Sequence, residues 1–181
     1  MSLYITTSRK PSQLTRKLVR WLAIIFGGET ENRGKRSIQE AAARAAEKGY
    51  SRVLFIYETH GNPSRLVFFD EDGGWLEPEV LISRMDLPET KSPRVPGRVK
   101  AVALDKAGEK IVALFCPEER EQETKDVVEF KASANKIVFE RDGQTVGPRL
   151  RIHLAAPQER GAGGNAGETA GAAGARESKE S

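Results

Sequence analysis

An α/β domain made of two similar halves is what this chain predicts, and three observations carry the prediction. Short β-rich runs alternate with helical stripes from residue 3 to 155. The order of elements in residues 1–90 returns in shortened form over 91–155. From residue 156 the composition changes to APQERGAGGNAGETAGAAGARESKES, half of whose 26 residues are Gly or Ala. Such a segment cannot bury enough surface to offset its backbone entropy, so 156–181 is expected to be a disordered tail. The 181 residues, 38% hydrophobic and 30% charged, suit one compact domain, or two very small ones sharing a core.

The elements follow in order. Leu3 to Thr7 reads as a strand. Pro11 then opens a helix, because its missing N–H is no loss in the first turn. Leu14, Leu18, Trp21, Leu22 and Ile25 form one apolar stripe on that helix, and Gly27-Gly28 stops it. Ser37 with Glu40 predicts a capping box for a second helix closed by Gly49. RVLFIYE (52–58) and RLVFFD (65–70) predict a strand pair joined through THGNP, and WLEPEVLI a third strand.

Across KSPRVPGR (91–98) the series restarts. VKAVALD (99–105) predicts a strand. Ala107, Ile111, Leu114 and Phe115 recur at helical spacing, although GEKIVALFC (108–116) suits a strand equally by periodicity. DVVEF and KIVFERD predict a hairpin around Ser133 to Asn135, and GPRLRIHL (147–154) the last strand. An internal duplication explains this repetition.

Charge is uneven. Residues 1–36 hold eight cations and two carboxylates, a net +6, whereas the whole chain is only +3. A basic end of this kind points to a polyanion partner, or to solvated helix faces. No apolar run is long enough for a membrane span, and MSLYITTSRK lacks the apolar stretch of a signal peptide, so a soluble intracellular protein is expected. The single Cys116, with His60 and His153, offers no metal-ligand spacing, and reads as a small buried hydrophobe.

The stretch ITTSRKPSQLTRKLVR poses an electrostatic puzzle. Arg9 and Lys10 stand at a helix entrance, whose unpaired N–H groups and positive dipole end favour an acid. Local sequence supplies none. A phosphate held by those N–H groups, by the hydroxyls of Thr6, Thr7 and Ser8, and by Arg9 and Lys10 would resolve it. The alternative leaves both cations in solvent while Ser8 or Ser12 caps the helix.

Arg16 and Arg20 lie off the apolar stripe, four residues apart, and Arg33, Lys35 and Arg36 crowd a loop in which Gly34 permits close backbone approach. The two basic clusters flank the same helix at opposite ends, ~21 Å apart for 14 residues, with Arg16 and Arg20 between them. Gly61, Asn62 and Pro63 mainly shape a turn. In GPRLRIHL, alternation sends Leu150, Ile152 and Leu154 one way and Arg149, Arg151 and His153 the other. Phe55, Tyr57, Phe68 and Phe69 lie in apolar strands and read as core rather than as stacking platforms for bases.

Taken in order, ITTSRKPSQLTRKLVRWLAIIF, NRG at 32–34, ETHGNPSRLVFF and VGPRLRIHL resemble the Brix domain of ribosome-biogenesis proteins over roughly residues 3 to 155. The likeness is greatest to the branch acting in small-subunit rRNA processing, and the short length looks like an archaeal stand-alone member. The resemblance implies a Brix domain over 1–155, with halves at about 1–90 and 91–155. Each half would be a small mixed sheet with helices, like the anticodon-binding domain of class II aminoacyl-tRNA synthetases. It further implies rRNA or rRNA-precursor binding without catalysis, metal or cofactor. Ribosomal or other assembly proteins would be further partners, and the cytoplasm the location. Together with the basic clusters above, it makes Thr7, Ser8, Arg9, Lys10, Arg16, Arg20, Arg33, Lys35 and Arg36 the candidate RNA contacts, with Asn62 as a lesser one and Arg149 in a functional or inter-half structural role. His60 stands where the family often has Arg, and FFDEDGGWLEP lacks the usual Gly-Pro-Thr stretch. A protein adapter and an RNA-acting enzyme are the competing readings.

Overall fold

The computed structural model describes residues 3–89, 96–115 and 126–155. Cys116, the acidic run EEREQE at 118–123, most of the crossover at 91–98 and the 156–181 segment lie outside them. The described residues form one mixed sheet and three helices.

Strand β1 (Tyr4–Thr7) leads to helix α1 (Gln13–Phe26). Ser12 is the N-cap, its hydroxyl accepting from the Thr15 N–H at 3.1 Å. Pro11 therefore stands one residue ahead of the cap, not in the first helical position as the sequence suggests. Gly27 ends α1 at φ 66°, and the Gly28 N–H also reaches the Ala23 carbonyl at 2.9 Å. A Cβ on Gly28 would fall 2.1 Å from the Leu3 carbonyl oxygen. Only glycine lets the chain return so close beside β1. That return is β2 (Glu29–Glu31), an edge strand the sequence analysis did not find.

Helix α2 (Ile38–Glu47) opens on the expected capping box: the Glu40 N–H donates to Ser37 Oγ at 3.1 Å and the Ser37 N–H to Glu40 Oε2 at 2.6 Å. Strands β3 (Arg52–Thr59) and β4 (Asn62–Asp70) extend further than predicted, so THGNP shrinks to a two-residue turn with His60 at φ 50° and Gly61 at φ 77°. Two residues of positive φ match the right-handed twist of the flanking strands.

Next come β5 (Trp75–Asp86), β6 (Arg98–Ala103), α3 (Lys106–Phe115), β7 (Val127–Ser133), β8 (Lys136–Arg141), β9 (Gln144–Thr145) and β10 (Arg149–Ala155). The ambiguous stretch 108–115 is helix. Asp105 decides this by accepting from the Gly108 N–H at 2.7 Å, at the helix start, while Ile111, Leu114 and Phe115 share one buried face.

The strand order is β2-β1-β3-β4-β5-β10-β8-β7-β6, with β9 paired to β8. The expectation of a separate small sheet in each half is corrected: β5 and β10 pair antiparallel and fuse everything into one sheet. Within it, β1 runs parallel to β3, and β4 and β5 follow antiparallel. Likewise β6 runs parallel to β7, and β8 and β10 follow antiparallel.

Helices α1 and α3 cover one face and share a core with it. Phe26 stacks on Phe115 at 5.2 Å between ring centroids and meets Phe130 and Phe139 edge-on. Arg52 of β3 donates from Nη1 to the Ala113 and Leu114 carbonyls at 2.6 and 2.9 Å, so the first half caps the last turn of the helix in the second. Helix α2 covers the opposite face over Tyr4, Val53, Phe55 and Phe69. Phe55, Phe68 and Phe69 are buried as expected, and Tyr57 is half-buried.

Candidate nucleic-acid interface

The register of β1 against β2 decides what the basic segments can do together. Tyr4, Ile5 and Thr6 pair in parallel with Glu29, Thr30 and Glu31, so the chain leaving β2 emerges beside the chain leaving β1. Thr7 Oγ1 lies 3.4 Å from Asn32 Oδ1. The two basic clusters therefore sit at the same end of α1, not at opposite ends as the sequence distance suggested.

After β1 the chain enters α1 on one face of the sheet, and after β2 it enters α2 on the other. The loops 8–12 and 32–37 thus part in opposite directions from neighbouring parallel strands. Open α/β sheets bind ligands at such a divergence, outside the carboxyl ends of the strands.

Beside this point a cleft of about 450 Å³ runs between α1 and β2. Arg16 and Arg20 stand on its helix side, Thr30 and Asn32 on its strand side, and Val19 and Ala23 form part of its apolar lining. Both arginines are exposed, one and two turns into α1.

The puzzle of the helix entrance has an answer within the protein. Glu58, near the carboxyl end of β3, accepts from the Ser12 N–H at 3.0 Å and from the Thr15 hydroxyl at 2.5 Å. The acid missing from local sequence arrives from 46 residues away. Burial pushes the Glu58 carboxyl up, but the Thr15 and Ser12 hydrogen bonds and the nearby Arg16 charge bring it below the ordinary carboxylate range. A phosphate is thus not required to satisfy the start of α1. Arg9 and Lys10 lie ahead of the cap, both exposed.

The loop 32–36 is anchored from beneath. Glu31 accepts from Tyr4 Oη, from Arg36 Nη1 at 2.6 Å and from Arg44 Nε at 2.7 Å. Tyr4 is pushed up to about 12 by burial and by its hydrogen bond to Glu31. The Glu31 carboxyl is held low, chiefly by the Tyr4 hydroxyl. Arg36 is therefore already engaged by an acid, while Lys35 is exposed and Arg33 is half-buried with its Nε unpaired.

Asn62 belongs to the same end. A Cβ on Gly61 would lie 3.9 Å from Ser12 Cβ, so the hairpin tip abuts the start of α1. The Asn62 amide donates to the His60 carbonyl at 3.3 Å. Arg149 does not join them. It projects from β10 on the sheet face opposite α1, four strand spacings or roughly 19 Å from β1, and donates to Thr145 Oγ1 at 3.1 Å.

Three features escaped sequence reasoning: β2, Glu58 and the meeting of Thr7 with Asn32. The run ETE carries little strand signal, and a long-range acid leaves no trace in spacing. The helix start lacking an acid was the one usable clue.

No family model matches the chain. A probable Brix domain-containing ribosomal biogenesis protein of Methanothermobacter thermautotrophicus is 43% identical over 72 residues, covering 40% of this chain and 44% of that protein. One from Methanosarcina barkeri is 42% identical over 71 residues, covering 39% and 43%. The chain is thus similar, over this stretch, to archaeal Brix-domain proteins. The aligned stretch spans less than half the length of these two curated Brix-domain relatives. The fold likeness is broader. The crystal structure of an archaeal Imp4-like protein superposes with a TM-score of 0.65 at 26% identity, covering 86% of this chain and 99% of that one. A probable ribosomal biogenesis protein from Aeropyrum pernix shares the fold with a TM-score of 0.64 at 24% identity, covering 87% and 97%.

Proposed function

We propose that this Brix-type domain binds small-subunit rRNA or its precursor during ribosome assembly, mainly through phosphates, and holds or remodels it without catalysing a reaction. The observation that carries the reading is the convergence of two basic loops and the Arg16–Arg20 helix face where β1 and β2 end. Planar guanidinium groups suit phosphate oxygens. The aromatic side chains sit mostly inside the protein, which favours backbone and shape recognition over stacking on bases. Thr7, Ser8, Arg9, Lys10, Arg16, Arg20, Arg33 and Lys35 are assigned the contacts, with Arg36 as an anchor of its loop and Asn62 at the margin. The repeated pairing pattern of the two halves supports an origin by duplication, each half being like a class II synthetase anticodon-binding domain. Location in the cytoplasm and contact with assembly proteins go with this reading.

Crosslinking the protein to RNA in its own cells, then sequencing the attached fragments and mapping the crosslinked peptides, tests it. Enrichment of small-subunit rRNA precursor on peptides from residues 8–36 is expected. Recovery of transfer or messenger RNA alone would overturn it.

A further inference from the structure

Cross-strand pairing places three cations side by side on the sheet face opposite α1 and α3. Arg84 of β5 pairs directly with Arg151 of β10, and Arg151 with Lys136 of β8. Neighbouring strands are ~4.8 Å apart, so the three positions span about 10 Å. Directly opposed like charges destabilise a sheet. Elsewhere on the same face the chain offsets this cost: Glu129 and Glu140 are directly opposed, and Lys131 bridges them at 2.9 and 2.7 Å. For the row itself, the only acid in an ion pair among the described residues is Asp86, 3.3 Å from Arg84 on side chains that are 68% and 52% exposed. Among the described residues, Arg151 and Lys136 have no acidic partner, and both are exposed, as is Arg149 two positions along β10.

We infer that this row is a second phosphate-binding surface, through which the protein engages an RNA segment other than the one in the α1–β2 cleft. The identity of the ligand rests on the RNA reading above. The row belongs to β5, β10 and β8, whereas the cleft lies on the other face and beyond β1, so a second segment is the natural occupant. A protein partner fits poorly. Interface centres are rich in aromatics and poor in charge, whereas this row is flanked by Ser83 and Ser133.

The test compares wild-type protein, Arg84→Gln/Lys136→Gln/Arg151→Gln and Arg16→Gln/Arg20→Gln, titrated against in vitro transcribed small-subunit rRNA over a range of salt. Three lost phosphate contacts should lower the slope of log affinity against log salt by ~2, at about 0.7 per contact for single strands. The triple variant should also melt at the same or a higher temperature than wild type at low salt, the gain fading as salt screens the row. A triple variant with wild-type slope, alongside a weakened Arg16/Arg20 variant, would overturn the second surface and leave the cleft standing. Polyglutamate binding that the triple variant loses while its rRNA slope is unchanged would assign the row to an acidic protein instead. Failure of the wild-type protein to bind rRNA at all would sink the underlying RNA reading as well.

Discussion

Replacing Glu58 with Gln keeps the shape of the side chain and removes its charge, which isolates what the acid does at the start of α1. Two hydrogen bonds lose charge assistance, those from the Ser12 N–H and the Thr15 hydroxyl. A bond to a charged group contributes about 1 kcal/mol more than a neutral one. Loss of an anion at a helix start costs about 0.3–1 kcal/mol further. Glu58 is half-buried, so partial solvent screening trims the sum to about 1–3 kcal/mol. At about 2–4 °C per kcal/mol for a domain of this size, the melting temperature should fall by about 2–12 °C. The pH dependence has a definite sign. The folded carboxyl titrates below its ordinary value of 4.5, so its contribution is present above that value and is lost as the pH falls through the lower, folded one. The variant should lack this acid-sensitive component. RNA binding should move the other way. Removing a negative charge roughly 10 Å from a phosphate through water-like dielectric is worth on the order of 0.5 kcal/mol, about a twofold gain in affinity at low salt. A variant with unchanged melting temperature and unchanged affinity would refute this account of the helix entrance.

Three further substitutions probe the frame. Gly108→Ala would put a Cβ 2.2 Å from the Ala132 carbonyl oxygen, so α3 must shift off β7; despite the better helix propensity of Ala, a net loss of about 1–3 kcal/mol in urea denaturation is expected. Arg52→Met keeps the apolar stem but abandons two carbonyls at the end of α3, and should cost about 1–3 kcal/mol by the same measurement, with little effect on RNA affinity. Arg9→Ala/Lys10→Ala should reduce the salt slope of RNA binding by ~1.4 if both cations touch phosphates of a single strand, with a melting temperature close to wild type.

How far the sequence reveals this molecule depends on the range of the interaction. The capping box at Ser37 and Glu40, the αL glycine after α1 and the alternation in β10 are local, and each is visible in the residue spacing. The helix over 108–115 is not separable from a strand by periodicity; Asp105 bonding to Gly108, and the close approach to Ala132, settle it. The cation row has the same character, since Arg84, Lys136 and Arg151 become neighbours only through strand register. Glu58 and Asn32 reach the entrance of α1 only because β3 and β2 both run parallel to β1. The candidate residues were legible one at a time, but their meeting place depended on a three-residue strand with almost no signature.

The central claim is that the cleft beside the ends of β1 and β2 binds RNA through its phosphates. The most direct measurement is the affinity of Arg16→Gln/Arg20→Gln for small-subunit rRNA as a function of salt, with a shuffled RNA of equal length beside it. The account predicts a slope reduced by ~1.4 and weakening of similar size on both RNAs, because phosphate contacts carry no sequence information. A slope and affinity equal to wild type on both would contradict it.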